Sequence, residues 1–353
     1  MMFLNKFDSR FHLLTVHLIR NKPLFICRAI FRKLQLKFSK KHRFKSAMLA
    51  LHYKCNLSCS HCYEKSFHKT DQSMLTFDEK KQVIDECLRL GILAFDFIGG
   101  ESHLDSNFEE LVRHAKPYKH YISLATNGLG FTREKVKKFR DMGIDKFNIS
   151  IDSWFADKHD EFRNKKGSYQ SAFSTLNLCK ELGMSVGINI VVYKDYTKEE
   201  GFKKLVQYCI DNKVSLAFKL ALPVGQWQNN FETLASESDK QEIERLHALY
   251  PFLTRDIHGN QDNSCPAFKD FFTISAYGDV MPCNAIHISF GNIRQAPLVI
   301  ILQQVKKMEM FSKKYKGCPP AEDFIFIQKV LSKTYNACPY PIEAKNIFDE
   351  LKK

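Results

Sequence analysis

The stretch Ala47-Met-Leu-Ala-Leu-His-Tyr53-Lys-Cys55-Asn-Leu-Ser-Cys59-Ser-His-Cys62 joins an apolar run of strand length to a loop carrying three cysteines. An apolar run without alternation is what a strand buried on both faces of a parallel sheet requires. Downstream, similar runs alternate with helical patterns of roughly 10 to 15 residues, the signature of repeated βα units. Six strands are predicted, at Ala47–Tyr53, Ala94–Ile98, Tyr121–Thr126, Lys146–Ile151, Ser185–Val192 and Val214–Leu222. Two intervening helices are predicted to open with capping boxes, Thr76-x-x-Glu79 and Thr197-x-x-Glu200, in which hydroxyl and carboxylate each satisfy a free backbone N–H. Past Pro223 the pattern changes. Ser238-x-x-Gln241 predicts the start of another helix, Phe271–Met281 a hairpin turning near Tyr277-Gly278-Asp279, and Leu298–Lys314 a last helix.

The fold expected is therefore α/β: a partial (βα)6 TIM-like barrel with a small α+β C-terminal domain. Six units fall short of the eight of a closed barrel, so either the barrel is partial or two units escape the pattern. The expected divisions are an arm at 1–45, the barrel at 46–225 and the second module at 226–353.

The 353 residues are 44% hydrophobic and 26% charged, which excludes a disordered chain. The absence of a run of about 18 uncharged apolar residues excludes a membrane-spanning helix. Eleven cysteines, sparse and clustered, with no signal peptide before them, suit a reducing cytoplasm better than a disulfide scaffold. The net charge of +14 is concentrated at one end: residues 1–50 hold twelve Lys or Arg against Asp8 alone, a net +11, leaving +3 for the other 303 residues. In that arm Ile26, Ile30, Leu34 and Phe38 recur every four residues, with Arg28, Arg32, Lys33 and Lys37 turned largely elsewhere. Such a cationic amphipathic helix packs on the barrel or lies on an anionic membrane surface. No RNA-binding motif accompanies it, and no nucleic-acid partner is expected.

Three thiolates on one βα loop sit at the C-terminal end of the sheet, where α/β barrels keep their chemistry. Thiolates suit zinc or an iron–sulfur cluster. Structural zinc favours paired C-x2-C knuckles with a fourth ligand, whereas three cysteines on a short loop match three irons of a [4Fe–4S] cube and leave the fourth iron open.

The Cys-x3-Cys-x2-Cys loop resembles the signature of the radical S-adenosylmethionine (SAM) enzymes, and further pieces of that pattern recur in order over most of the chain. The resemblance implies that Cys55, Cys59 and Cys62 hold a catalytic [4Fe–4S] cluster whose open iron chelates SAM. Gly99-Gly100-Glu101 is similar to the family's glycine-rich motif, in which the glycines admit the methionyl part and Glu101 takes its ammonium group. Ser102 stands where proline usually follows. Asn127, in Thr126-Asn127-Gly128, and the pair Ser150 and Asp152 resemble further cofactor positions, the pair lying near the ribose. Arg163 looks like the arginine that meets the SAM carboxylate, and His61 stands where the backbone lies against adenine. Taken singly, Gly-Gly-Glu reads as a tight turn and Arg163 as a solvated helix charge. Their order on four successive βα loops sets them apart.

The C-terminal module supplies Cys265, Cys283, Cys318 and Cys338. Gly278-x4-Cys283 would return Cys283 towards Cys265 across the hairpin. This step, with Phe290-Gly291-Asn292-Ile293, resembles the opening of SPASM or twitch domains and implies a second, auxiliary [4Fe–4S] cluster. A full SPASM domain has a dense later block of cysteines for two clusters, and here only Cys318 and Cys338 remain. Cys338 is taken as the fourth ligand, the alternatives being a free thiol, a hydrogen-atom donor, or His287 or a substrate group in its place. Cys27, Cys87, Cys179 and Cys209 read as small buried hydrophobes.

The resemblance implies reductive cleavage of SAM to a 5′-deoxyadenosyl radical that abstracts hydrogen from a substrate C–H, with an electron donor such as flavodoxin or ferredoxin. A peptide or protein substrate is expected from the auxiliary domain. The alternative is a small molecule, sugar or lipid, in keeping with a cytoplasmic protein held at the membrane by its arm. A different class is a zinc-stabilised RNA-binding or scaffold protein.

Overall fold

Alternate residues of the central strands decide how the sheet is covered. Phe95 and Phe97, Ile122 and Leu124, Phe147 and Ile149, and Leu216 and Phe218 are all buried, and they meet helix residues such as Phe108, whose ring lies 5.6 Å from that of Phe97. The computed structural model describes residues 22–38, 44–69, 71–259, 263–306, 315–337 and 340–348, without the side chains of 32–38 and 68–69. Its strands are β1 (Ser46–Ala50), β2 (Ala94–Ile98), β3 (Tyr121–Thr126), β4 (Lys146–Ser150), β5 (Ser185–Val192), β6 (Ser215–Leu220), β7 (Leu253–Thr254), β8 (Phe271–Ile274) and β9 (Val280–Met281). They form one sheet in the order β7-β6-β5-β4-β3-β2-β1-β8-β9. Every pairing is parallel except the β8–β9 hairpin. All six predicted strands are present. The seventh, two residues long, is too short to carry a pattern.

The sheet crosses the division drawn at residue 225. On one side β7 extends β6; on the other β8 runs parallel to β1, with Ser46 opposite Phe271. The hairpin turns at Gly278, whose φ of +93° suits glycine.

One capping box forms as predicted: Glu79 N–H donates to Thr76 Oγ1 at 3.3 Å, and Thr76 N–H to Glu79 Oε2 at 2.7 Å. The other does not. Thr197 donates its hydroxyl and its N–H to Asp239 Oδ1, at 2.6 and 3.0 Å, and the next helix is Glu200–Asn212 with Glu199 at its cap. Asp239 also completes a capping box with Ser236, so the following helix is Glu237–Leu249, two residues earlier than Ser238 suggested. Competition from a carboxylate 42 residues away is invisible to a local pattern. The last predicted helix is observed over Leu298–Val305, and 307–314 lie outside the described residues. Cys87, Cys179 and Cys209 are buried as expected, whereas Cys27 is exposed. No helix among the described residues is long and apolar enough to cross a membrane.

The C-terminal module is clamped to the barrel by Arg294. Its guanidinium donates to both oxygens of Glu79, at 2.5 and 2.8 Å, and to the carbonyl of Ser73 at 2.8 Å. The Arg294 hydrogen bond, helped by the Thr76 N–H, holds the Glu79 carboxyl down to about 2, from 4.5. A folded value below the unfolded one stabilises fully above pH 4.5, and that contribution is lost as the pH falls towards 2. The melting temperature of the parent should therefore fall more steeply between about pH 5 and pH 3 than that of Glu79→Gln. Equal slopes would show that this clamp adds nothing.

Candidate active site

The three-cysteine loop leaves the end of β1 and is held by close backbone contacts. Gly100 N–H donates to His52 O and Glu101 N–H to Lys54 O, both at 2.9 Å. A Cβ on Gly100 would stand 2.1 Å from Lys54 O, so a side chain there would drive the two loops apart. From the other side Gly225, at φ +63°, lies against Tyr63 and Cys62, where a Cβ would come within 2.3 Å of the Tyr63 Cα. The Gln226 N–H donates to Cys62 O at 3.1 Å. The glycines of the second loop thus admit the backbone of the cysteine loop.

Donors approach the sulfurs. Leu57 N–H and the Asn127 side-chain amide point at Cys55 Sγ, at 3.4 and 3.7 Å, and Arg163 Nη1 lies 3.8 Å from Cys59 Sγ. Desolvation pushes the Cys55 thiol up to about 11 and that of Cys62 to about 12, so a bound cation is needed to keep them as thiolates at neutral pH. Among the described residues no three His, Cys, Asp or Glu side chains converge on one ion position. A cube has no need of such convergence, because each thiolate binds a different iron. Sulfur-directed donors and a loop of three cysteines on a cavity wall fit the cluster.

That cavity, ≈ 970 Å³, is lined by Cys55, Cys59, Cys62, Gly99, Gly100 and Glu101, and by Asn127, Ser150, Arg163 and His61. Glu101 is 1% exposed. Its Oε2 accepts the Asn127 N–H at 2.9 Å, and its Oε1 is shared by the Thr126 hydroxyl and by His103 Nδ1 at 2.9 Å. The His61 ring stacks on Phe162 at 4.3 Å, with Trp227 at 5.8 Å. Burial lowers its value to about 3, so this imidazole is neutral. Asp152 stands apart: it is buried outside the cavity lining. Its Oδ2 accepts from Arg163 Nε at 2.6 Å and its Oδ1 from Val191 N–H at 3.2 Å. Although desolvation pushes its carboxyl up, the adjacent Arg163 guanidinium brings it below the usual carboxylate value.

Cys265, Cys283 and Cys318 line the same cavity and lie within electrostatic reach of one another. Cys318 follows Gly317, and its N–H donates to Glu322, which also meets Arg255 next to β7. Cys338 lies outside the described residues. His287 is fully buried, with Nε2 against Asn284 O at 2.9 Å and Nδ1 against the Tyr340 hydroxyl. Both of its nitrogens meet protein partners, and it is not among the residues that line the cavity.

Sequence reasoning missed the cavity's polar wall. Asp96, Ser123, Asn148, Asn189 and Lys219 all line it from β2 to β6. Each stands between two buried apolar neighbours in its strand, as Asp96 does between Phe95 and Phe97, a signal that alternation would have exposed. It missed Tyr63 as well, whose hydroxyl accepts from the Asn284 amide at 2.6 Å, linking the residue after Cys62 to the residue after Cys283.

Comparison with known proteins gives two family matches: the radical SAM superfamily over residues 50–207, and an iron–sulfur cluster-binding domain, SPASM, over 265–321. A GTP 3′,8-cyclase of Clostridium perfringens is 29% identical over 182 residues, which are 50% of this chain and 55% of that protein. The match thus spans about half the length of that relative. An AdoMet-dependent heme synthase of Methanosarcina barkeri is 27% identical over 276 residues, 69% of this chain and 77% of that protein. Among solved structures, SuiB of Streptococcus suis bound to precursor peptide SuiA aligns with a TM-score of 0.59 at 16% identity, over 76% of this chain and 67% of that one.

Proposed function

The chain belongs to the radical SAM superfamily and carries a C-terminal SPASM domain, and we propose that it abstracts hydrogen from a C–H bond of a peptide or protein substrate. The observation that carries this reading is the single cavity walled on one side by Cys55, Cys59 and Cys62 and on the other by Cys265, Cys283 and Cys318. When bound, the first cluster and SAM supply the electron and the 5′-deoxyadenosyl group of that chemistry. Cys55, Cys59 and Cys62 would hold the first cluster, and Cys265, Cys283, Cys318 and Cys338 the auxiliary one.

The protein's own part is positioning. Glu101, whose Oε2 accepts the Asn127 N–H and which lines the cavity, would meet the SAM ammonium group. Arg163, anchored by Asp152, would face its carboxylate. Ser150 and Asn127 would orient the rest, with Gly99 and Gly100 at the methionyl end, and the His61–Phe162 stack would give the adenine an apolar shelf. Asp152 acts in this reading through Arg163.

A ridge outside the cavity supports a polypeptide. Phe231 follows the cavity residue Trp227 by four positions, and Phe324 follows the cavity residue Pro320 by four. Their rings meet at 6.3 Å, and Phe324 and Ile325 are 56% and 65% exposed. A chain entering the cavity could lay an apolar side chain there. A fold of this kind holds a precursor peptide in SuiB. The second reading, a small polar molecule, is favoured by the wall of Asp96, Ser123, Asn148, Asn189 and Lys219, one polar side chain from each of the successive strands β2 to β6.

The test uses extract from cells grown in deuterated medium, split into polypeptide and small-molecule fractions and given to the anaerobic enzyme with SAM and dithionite. Deuterium should enter 5′-deoxyadenosine from the polypeptide fraction. Transfer from the small-molecule fraction alone would replace the first reading with the second.

A further inference from the structure

We propose that the N-terminal helix docks this chain onto an anionic lipid bilayer. The helix Pro23–Phe38 is fastened to the barrel along one side. Lys22, 5% exposed, donates its ammonium to the carbonyls of His120 and Gly143, at 3.0 and 2.9 Å, and pairs with Asp145 at 2.5 Å. Phe25 is buried, its ring 6.4 Å from that of Tyr121. The other side is open. Leu24, Ile30 and Phe31 are 50%, 57% and 62% exposed. At about 100° per residue, positions 24 and 31 lie within roughly 20° of each other, and position 30 flanks 31. A cluster of large apolar side chains on one exposed face marks a contact surface, whereas singly scattered ones do not.

Charge selects the occupant. Residues 1–50 carry a net +11 against +3 for the rest of the chain. A second copy would bring an N-terminal segment of the same sign and be repelled. A nucleic acid would answer the charge and leave Ile30 and Phe31 in water. An anionic bilayer answers both, taking the apolar side chains below its headgroups and the cations at its surface. The geometry also sets the orientation. His120 and Asp145 immediately precede β3 and β4, so Lys22 and Phe25 at the start of the helix sit at the N-terminal strand ends, whereas Cys55, Glu101 and Asn127 follow the C-terminal ends. A bilayer under this helix therefore leaves the cavity mouth facing water, and substrate would arrive from the aqueous side. This inference does not depend on the substrate reading above.

The test is flotation of the full-length, anaerobically purified protein with vesicles of phosphatidylcholine alone or mixed with phosphatidylglycerol. The protein should float with the mixed vesicles only, and binding should fall with salt. The double variant Ile30→Glu/Phe31→Glu should weaken partitioning by roughly a hundredfold, about tenfold for each apolar group lost from the bilayer. Both residues are solvent-exposed, so its melting temperature should match the parent's. Failure of the parent to float, or equal binding by the double variant, would overturn the proposal. So would a concentration-dependent dimer, dissolved by the variant, in a protein that ignores vesicles.

Discussion

Replacing Cys55, Cys59 and Cys62 together by alanine is expected to reduce 5′-deoxyadenosine formation under dithionite to background while one of two clusters survives. The three sulfurs leave a single loop, and each would bind a different iron, so no other cysteine among the described residues stands ready to replace them. Cys265, Cys283 and Cys318 come from separate segments of the C-terminal module, which packs through contacts of its own, such as the Arg294 clamp and the Tyr277 hydroxyl donating to Phe67 O at 2.9 Å. Iron per chain should therefore drop by about half, and the electron paramagnetic resonance signal that remains should match the auxiliary cluster of the parent. Undiminished SAM cleavage by the triple variant would remove these cysteines from the chemistry. Loss of both clusters would show that the two sites fold as one.

The second large effect concerns Arg163. Its guanidinium Nε lies 2.6 Å from Asp152 Oδ2, with the two side chains 10% and 3% exposed. Truncating one member of a buried pair leaves an unpaired charge, which typically costs about 3–5 kcal/mol. Arg163→Met should therefore lower the melting temperature by several degrees even without SAM. Arg163→Met/Asp152→Asn should regain much of the loss, because the stranded carboxylate is gone. A residue whose whole role was to meet SAM would behave otherwise: Arg163→Met would then melt like the parent in the absence of SAM and lose only the stabilisation that added SAM provides. Thermal melts of the parent and both variants, with and without SAM, separate these outcomes.

Local pattern was enough to place the six long strands and the hairpin, since alternating strand and helix periods and turn residues act within a few positions of one another. It was enough also for the cysteine loop and the order of the motifs after it, because a βα unit puts each loop at the same end of the sheet by construction. Tertiary structure decided what depends on distant partners. Thr197 gives its hydroxyl to Asp239 rather than to a helix start. Asp152 turns its carboxylate to Arg163 and away from the cavity. His287 spends both ring nitrogens on Asn284 and Tyr340. The C-terminal hairpin joins the barrel sheet beside β1, and that pairing brings Cys265 and Cys283 to the cavity that Cys55 already lines. A hydrogen-bond donor or acceptor in a sequence has many candidate partners, and only the folded chain selects among them.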